Sequence, residues 1–440
     1  MKKFVFASVM ALASICLVSA PKLPAQDSIT IKDPGEFNAY QNATTQSDPK
    51  AKATALENFL QMYPQSVVKK AVLDALVGSY QALNDPDKTL SAASRLLQVD
   101  PNNMKAIFIS VFLKKGQCAK TSDAQTCDDA AALASKGLTA TKAADVSDDD
   151  WKKLTAGTYP AFHSAIALDD AISKKDFKGA QDEYTAELML YSDDQSKSMG
   201  LNDTLLLAQA YSQPGAAQDL VKGSYFYARV WDFAPPQYKA QIEPKLEYYY
   251  KKFHGGLDGL DALKTTAQGS TFPPGTLHID PAKTPAEQIH AMLTDPGTDK
   301  SKLALADKET ILALGSKDDA ETIWAVMKDQ ATPVPGVVIE ATASVIKVAV
   351  TQDAKDSKTP DFIVNLKTPL ADKDIPVAGF EFKLQPAEEL DGTYDNYTQI
   401  PGTATTAQSA QIVLRDGFIQ AEKKKPVAHK PAAAHHAAAH

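Results

Sequence analysis

Cys118 and Cys127 are the residues best placed for covalent chemistry, because they are the only cysteines beyond residue 16. In an oxidising compartment two cysteines this close are expected to pair; free thiols are the alternative. The segment between them, Ala119 to Thr126, is polar and reads as an insertion that a disulfide would pin. Their spacing is not that of a redox pair. No histidine or further cysteine stands near them, which argues against a metal site. Asp148-Asp149-Asp150 before Trp151 fits a helix start, with acids at the positive end of the dipole. Consecutive helical residues point in different directions, so a metal set there is the weaker reading. His163, His254, His278 and His290 are isolated, and general acid–base work needs a positioned partner. The chain has no metalloprotease helix motif, phosphate loop, dinucleotide glycine pattern or nucleophile elbow. The expectation is no catalytic residue, no metal and no cofactor.

The elements that hold these residues begin with an export signal at 1–25. Lys2 and Lys3 precede an apolar run from Phe4 to Val18 that is too short to span a membrane as a mature helix. Cleavage can follow Ala20 or Ala25; Pro21 disfavours the first. Ile15 before Cys16 argues against lipid attachment. No later apolar run is long enough to cross a membrane, so a periplasmic or secreted chain is expected. A formal charge of −8 and a pI near 5.6 disfavour nucleic acid as a partner.

From 33 to 265 the apolar period is helical. Residues 70–103 hold the clearest unit. Val72, Leu73, Leu76, Val77 and Tyr80 line one helix, and Leu90, Ala93, Leu96 and Leu97 line the next. Asp85-Pro86 starts the second helix and Asp100-Pro101-Asn102-Asn103 closes it. Residues 33–64, 161–194 and 202–234 show similar hairpins, and Glu243 to Phe253 adds a helix. Tyr248, Tyr249 and Tyr250 cannot all face one core, so at least one is exposed or meets a partner. Each hairpin has more apolar face than it can bury alone, so neighbours must stack.

This unit resembles the tetratricopeptide repeat (TPR) family through Leu76, Tyr80 and the Asp100–Asn103 turn. Val77, Thr89 and Ala93 depart from the family's usual residues. The ending Tyr63-Pro64-Gln65-Ser66 resembles the helical repeats of exported envelope-assembly proteins. The resemblance implies a protein or peptide partner in the cell envelope, held along the first helix of each unit. Carried over residue by residue, that face is Asp74, Gly78 and Gln81, then Phe162, Asp169 and Ile172, then Asn202, Leu205 and Gln209. Asp74 and Gly78 stand where the chaperone-binding subclass clamps a terminal carboxylate with lysine and asparagine, so no such clamp is expected.

Residues 266–283, with Gly269 to Gly275, read as a linker. Residues 284–328 return to helix and read as a segment between the repeats and a C-terminal domain. From 334 to 421 the period alternates, with Asp416-Gly417 as a turn, and suggests a small all-β barrel or sandwich resembling the OB class. Seven Lys/Arg against twelve Asp/Glu over 334–420 oppose nucleic-acid binding there as well. The tail 422–440 is Lys, Pro, Ala and His and should not build a core. His429, His435, His436 and His440 can bind transition metals loosely, and Lys423-Lys424-Lys425 can touch anionic surfaces. The fold class is therefore mainly α, a TPR-like hairpin solenoid followed by a small β domain. Two functions are compatible with it: a non-catalytic envelope scaffold, or an enzyme or carbohydrate binder with its site near Tyr394 and Tyr397. Nothing in the sequence sets an oligomeric state.

Overall fold

Aspartate side chains start many of the helices. Asp33, Asp48 and Asp85 each accept a hydrogen bond from the amide three residues on, and Pro34, Pro49 and Pro86 follow at the first helical position. Proline there loses no helical hydrogen bond, and the carboxylate fills an orphan donor. The structure, a computed structural model, describes residues 30–142, 146–403 and 407–422. The expected export signal and the tail beyond Glu422 lie outside the described residues. The chain divides into two units, Met1–Ala282 and Lys283–His440.

In the first unit, α1 (Pro34–Thr45) and α2 (Pro49–Met62), α3 (Lys69–Ala82) and α4 (Pro86–Val99), and α5 (Met104–Thr121) and α6 (Ala124–Leu138) are consecutive hairpins. Their first helices open at Pro34, Lys69 and Met104, a constant step of 35 residues. The next hairpin is longer: α7 (Asp148–Asp169), a π-helical turn at Asp170–Lys174, α8 (Phe177–Met189) and the single turn α9 (Asp193–Ser196). Then α10 (Leu201–Ser212) precedes α11 (Leu220–Phe233), and α12 (Pro236–His254) precedes α13 (Leu260–Gly269), with the 35-residue step restored from Leu201 to Pro236.

The apolar stripes read from the sequence do pack. Leu73 and Leu76 of α3 and Leu96 of α4 share a buried cluster with Leu56 and Phe59 of α2. Leu97 and Phe108 pack against both this cluster and the next, which holds Ile107, Val111 and Phe162. Each hairpin is thus completed by its neighbours, as stacked repeats require. Full burial of one such leucine or phenylalanine stabilises by about 1.5–3 kcal/mol. Tyr250 is buried and Tyr248 is exposed, as three tyrosines in a row demand.

Cys118 and Cys127 are disulfide-bonded, with Cα atoms 4.9 Å apart. The bond does not pin an inserted loop. Cys118 lies in the last turn of α5 and Cys127 in the first turn of α6, joined by Ser122 and Asp123 alone. Ser122 takes a left-handed backbone and Asp123 caps α6. Both sulfur-bearing residues are buried, with Leu168, Ile172 and Leu206 around them. Closing so short a segment is expected to stabilise the array by about 2–3 kcal/mol in the chain-entropy model. Urea denaturation of Cys118→Ala/Cys127→Ala against the oxidised parent measures that difference.

Residues 266–283 are not a free linker. The Tyr225 hydroxyl donates to the carbonyls of Ser270 (2.7 Å) and Phe272 (2.9 Å). The Ala282 amide donates to the Phe253 carbonyl at 2.7 Å. These bonds strap the segment onto α11 and α12.

The second unit begins with α14 (Pro285–Thr294), α15 (Leu305–Leu314) and α16 (Lys317–Met327). Next come β1 (Ala331–Pro333), β2 (Gly336–Ala341), β3 (Val345–Ala349), α17 (Gln352–Ser357), β4 (Phe362–Leu366), β5 (Glu381–Phe382), β6 (Glu389–Ile400) and β7 (Ser409–Gln420). The strands form one sheet in the order β1-β6-β7-β4-β3-β2-β5. Among the described residues only β4 and β7 pair in parallel. This order, with β1 and β5 at the two edges, differs from a five-stranded OB barrel. The layer covering the sheet is helical. Ile311, Leu312, Ile323 and Trp324 share one core with Val348, Val364, Leu390 and Leu414. The segment 284–328 therefore belongs to the sheet's own unit and is not a spacer. Asp416-Gly417 is not a turn either: β7 runs through it, with a register shift where Gly417 faces Leu366. A Cβ at Gly417 would overlap the Val364 side chain.

The backbone between α16 and β2 is held by bonds from the amides of Asp329 to Tyr394 (3.0 Å) and Val334 to Leu390 (2.7 Å). Limited proteolysis should leave a resistant fragment that retains α14–α16 with the sheet. Mass spectrometry of early fragments checks this; a first cut inside 329–336 would contradict it.

Candidate functional site

The first-helix positions divide by burial. Phe162 and Leu205 are core residues and Asp169 is fully buried, so none of the three is available to a ligand. Phe162 packs edge-on against Phe108, and a side chain at Gly137 would overlap its ring. Asp169 instead holds Lys174 at 3.0 Å, on the far side of the π turn. Asp74, Gln81, Ile172, Asn202 and Gln209 keep partial solvent access. Asp74 is held by Lys105 at 3.0 Å, and the space over Gly78 is open.

An ionic cluster that sequence spacing did not reveal lies next to Asn202. Its members come from four helices: Lys115 of α5, Ser164 of α7, Glu187 of α8 and Asp203 of α10. Ser164 and Glu187 are buried, Asp203 nearly so, and Lys115 keeps 22% of its side-chain surface. The Lys115 ammonium lies 3.2 Å from Asp203 Oδ2 and also donates to Ser164 Oγ. Ser164 Oγ donates to the same Asp203 oxygen at 2.7 Å. Asn202 Nδ2 donates to Asp203 Oδ1 at 3.2 Å, and the Tyr191 hydroxyl donates to Glu187 Oε1 at 3.3 Å. Glu187 Oε2 is buried and receives no hydrogen bond, and the Tyr184 hydroxyl is buried without a partner.

Burial alone would depress the Lys115 ammonium, but Asp203 and Glu187 outweigh it and hold the group charged. Burial raises Glu187 well above the usual carboxylate range, and Asp203 adds to the rise. Burial also works against ionised Asp203, but Lys115 and the hydrogen bonds from Glu187 and Ser164 reverse it and hold this carboxyl low. The arrangement is ammonium, carboxylate and neutral carboxyl. A Ser–Lys nucleophile would need a neutral lysine to take the serine proton, and this lysine stays charged. One sequence signal pointed here: Glu187 stands on the same helical stripe as Ala180, Tyr184 and Leu188, where an apolar residue is expected.

The isolated histidines each meet one acceptor: His163 with Glu183, His254 with the Asp280 carbonyl, His278 with Asp280 and His290 with Asp319. Among the described residues no group of three or more His, Cys, Asp or Glu could hold a metal.

In the second unit Tyr394 is buried, its hydroxyl 3.4 Å from Thr332 Oγ1, and Tyr397 packs on Trp324 with ring centres 4.9 Å apart. Both tyrosines serve the core. Beside them burial, helped by Asp361, pushes the Glu309 carboxyl of α15 up to about 7. Such a group stabilises fully below its ordinary 4.5 and loses that contribution as pH rises through about 7. Glu309→Gln should leave stability unchanged at about pH 4 and raise it by about 3 kcal/mol at about pH 9. Denaturant titrations of the pair at both pH values check this.

No protein-family model matches the chain, and no curated protein matches it. Among solved structures, a thermophilic TPR protein from Thermus thermophilus aligns at 15% identity, covering 49% of this chain and 98% of that one, with a TM-score of 0.27. A score that low carries no argument. The helical unit is a hairpin-repeat array. Its first helices recur at a 35-residue step and neighbouring hairpins share their cores.

Proposed function

We propose that this chain is an exported, non-catalytic helical-repeat scaffold of the cell envelope that holds a protein or peptide along the first helices of its hairpins. The observation that carries this reading is the split on α3 and α10: Gln81, Asn202 and Gln209 reach solvent from helices whose other faces are packed. Repeat arrays bind through such extended faces. Two further features support export, the Lys2-Lys3 apolar start and a disulfide of the kind that oxidising compartments keep. No helix of the described residues is long and apolar enough to cross a membrane. The partner is not expected to be nucleic acid, given the charge of −8. A free acidic C-terminus is not expected either, because Asp74 and Gly78 supply no cation there. A carbohydrate or enzyme site at Tyr394 and Tyr397 finds no support, since both rings are packed.

Gln81→Arg/Gln209→Arg tests the face. Recovered from native envelopes with its fold checked by circular dichroism, the variant should lose a discrete co-purifying partner that the parent retains. An unchanged partner profile would contradict the assignment.

A further inference from the structure

Glu187 is surrounded by groups from α5, α7 and α10 as well as from its own helix. Asp203 faces it from α10, Lys115 from α5, Ser164 lies beyond Asp203 on α7, and Tyr184 and Tyr191 flank it on and just after its own helix. Nearby, His163 of α7 and Glu183 of α8 form a separate pair at 2.7 Å, and Asp169 at the end of α7 and Asp170 in the π turn are both held by Lys174. Two carboxyls therefore share a single ammonium in a closed space. With one proton between them the cluster is neutral. Without it, a second negative charge sits beside Asp203, and Glu187 Oε2 has no donor to receive. An uncompensated buried charge is among the costliest states a protein interior can hold.

We propose that the Glu187–Asp203 carboxyl pair is a proton-operated latch, which locks α8 against α10 while it holds one proton and releases them when alkaline conditions remove it. The proton leaves to solvent base, and no covalent bond changes. Because repeat arrays couple only to their neighbours, the release is confined to the α7–α11 region and leaves α3 and α4 closed. This inference concerns the array itself and stands apart from the identity of any partner.

Hydrogen exchange on the full-length oxidised protein tests it, with rates corrected for the intrinsic pH effect. From about pH 6 to about pH 9, protection of amides in 180–188 and 201–208 should fall by roughly tenfold or more, while 72–97 stays level. Glu187→Gln keeps the shape and the hydrogen bond to Asp203 without the titration, so its protection should stay level in all three segments. Asp203→Asn removes the second carboxylate and leaves Lys115 to Glu187 alone, so the fall should move to lower pH. Where either variant fails to fold, carbon-13 NMR of the Glu187 carboxyl in the parent serves: ionisation must accompany the loss of protection. Uniform protection in the parent across this range overturns the latch, as does an equal fall in Glu187→Gln.

Discussion

Lys115→Ala is expected to lower the stability of the helical array by about 3–5 kcal/mol, the usual cost of breaking a buried ion pair from one side. The lysine is the cation that lies 3.2 Å from Asp203 and it also donates to Ser164. Its removal leaves Asp203 held only by hydrogen bonds from Ser164, Asn202 and protonated Glu187, with no positive charge. Two outcomes separate charge from packing. Lys115→Met fills the space but supplies no charge, so it should lose nearly as much. Adding Asp203→Asn to Lys115→Met should restore most of the loss, because the stranded charge is gone. Urea denaturation near neutral pH measures all three; a loss under about 1 kcal/mol for Lys115→Ala would show that the cluster carries no such role.

Arg229→Ala should cost a similar amount, about 3–5 kcal/mol, by a different route. Arg229 is among the largest fully buried side chains, with 1% of its surface exposed. Its guanidinium donates to the carbonyls of Ala267 (2.9 Å) and Ser270 (2.6 Å), to Asp193 (2.9 Å), to Ser196 Oγ (3.0 Å) and to Thr271 Oγ1 (3.2 Å). One side chain thus ties α9, α11 and the end of α13 together. Alanine leaves a cavity and deprives the Ala267 carbonyl of that donor, whereas Ser270 keeps Tyr225 and half-exposed Asp193 keeps Lys197 and water. Arg229→Lys retains charge but not the planar fork, so an intermediate loss is expected. Alongside denaturation, protease cleavage within 269–276 should accelerate in Arg229→Ala.

What was legible in the sequence was whatever local chemistry decides. The α3–α4 hairpin was readable because its apolar residues recur at helical spacing and Asp85-Pro86 and Asp100-Pro101 punctuate it. The cysteine pairing was readable from proximity and the expected oxidising compartment, but its place was not. Ala119 to Thr126 is polar enough to look like a loop, yet helices continue to Thr121 and restart at Ala124 because their other faces are covered. The segment 266–283 looked like a linker because what fixes it comes from Tyr225 and Arg229, about 40 residues away. Glycine and proline mark where regular structure stops; they do not report whether the irregular backbone is tied down. The ionic cluster was least legible. Lys115 and Asp203 are 88 positions apart, and each alone looks like a surface residue. Likewise, nothing local in 284–328 says that its apolar stripe meets a sheet. Of the first-helix face, the carry-over placed Gln81, Asn202 and Gln209 toward solvent, but it also placed Phe162 and Leu205 on the face, where packing claims them.

Site-specific photocrosslinking in native envelopes tests the scaffold reading most directly. A photoreactive residue is placed singly at Gln81, Asn202 and Gln209 on first helices, and at Ser94 and Asp182, which are exposed on second helices. The same discrete crosslinked species is expected from the first-helix positions and none from Ser94 or Asp182. Equal crosslinking from both sets, or no discrete species from the first-helix positions, would contradict it.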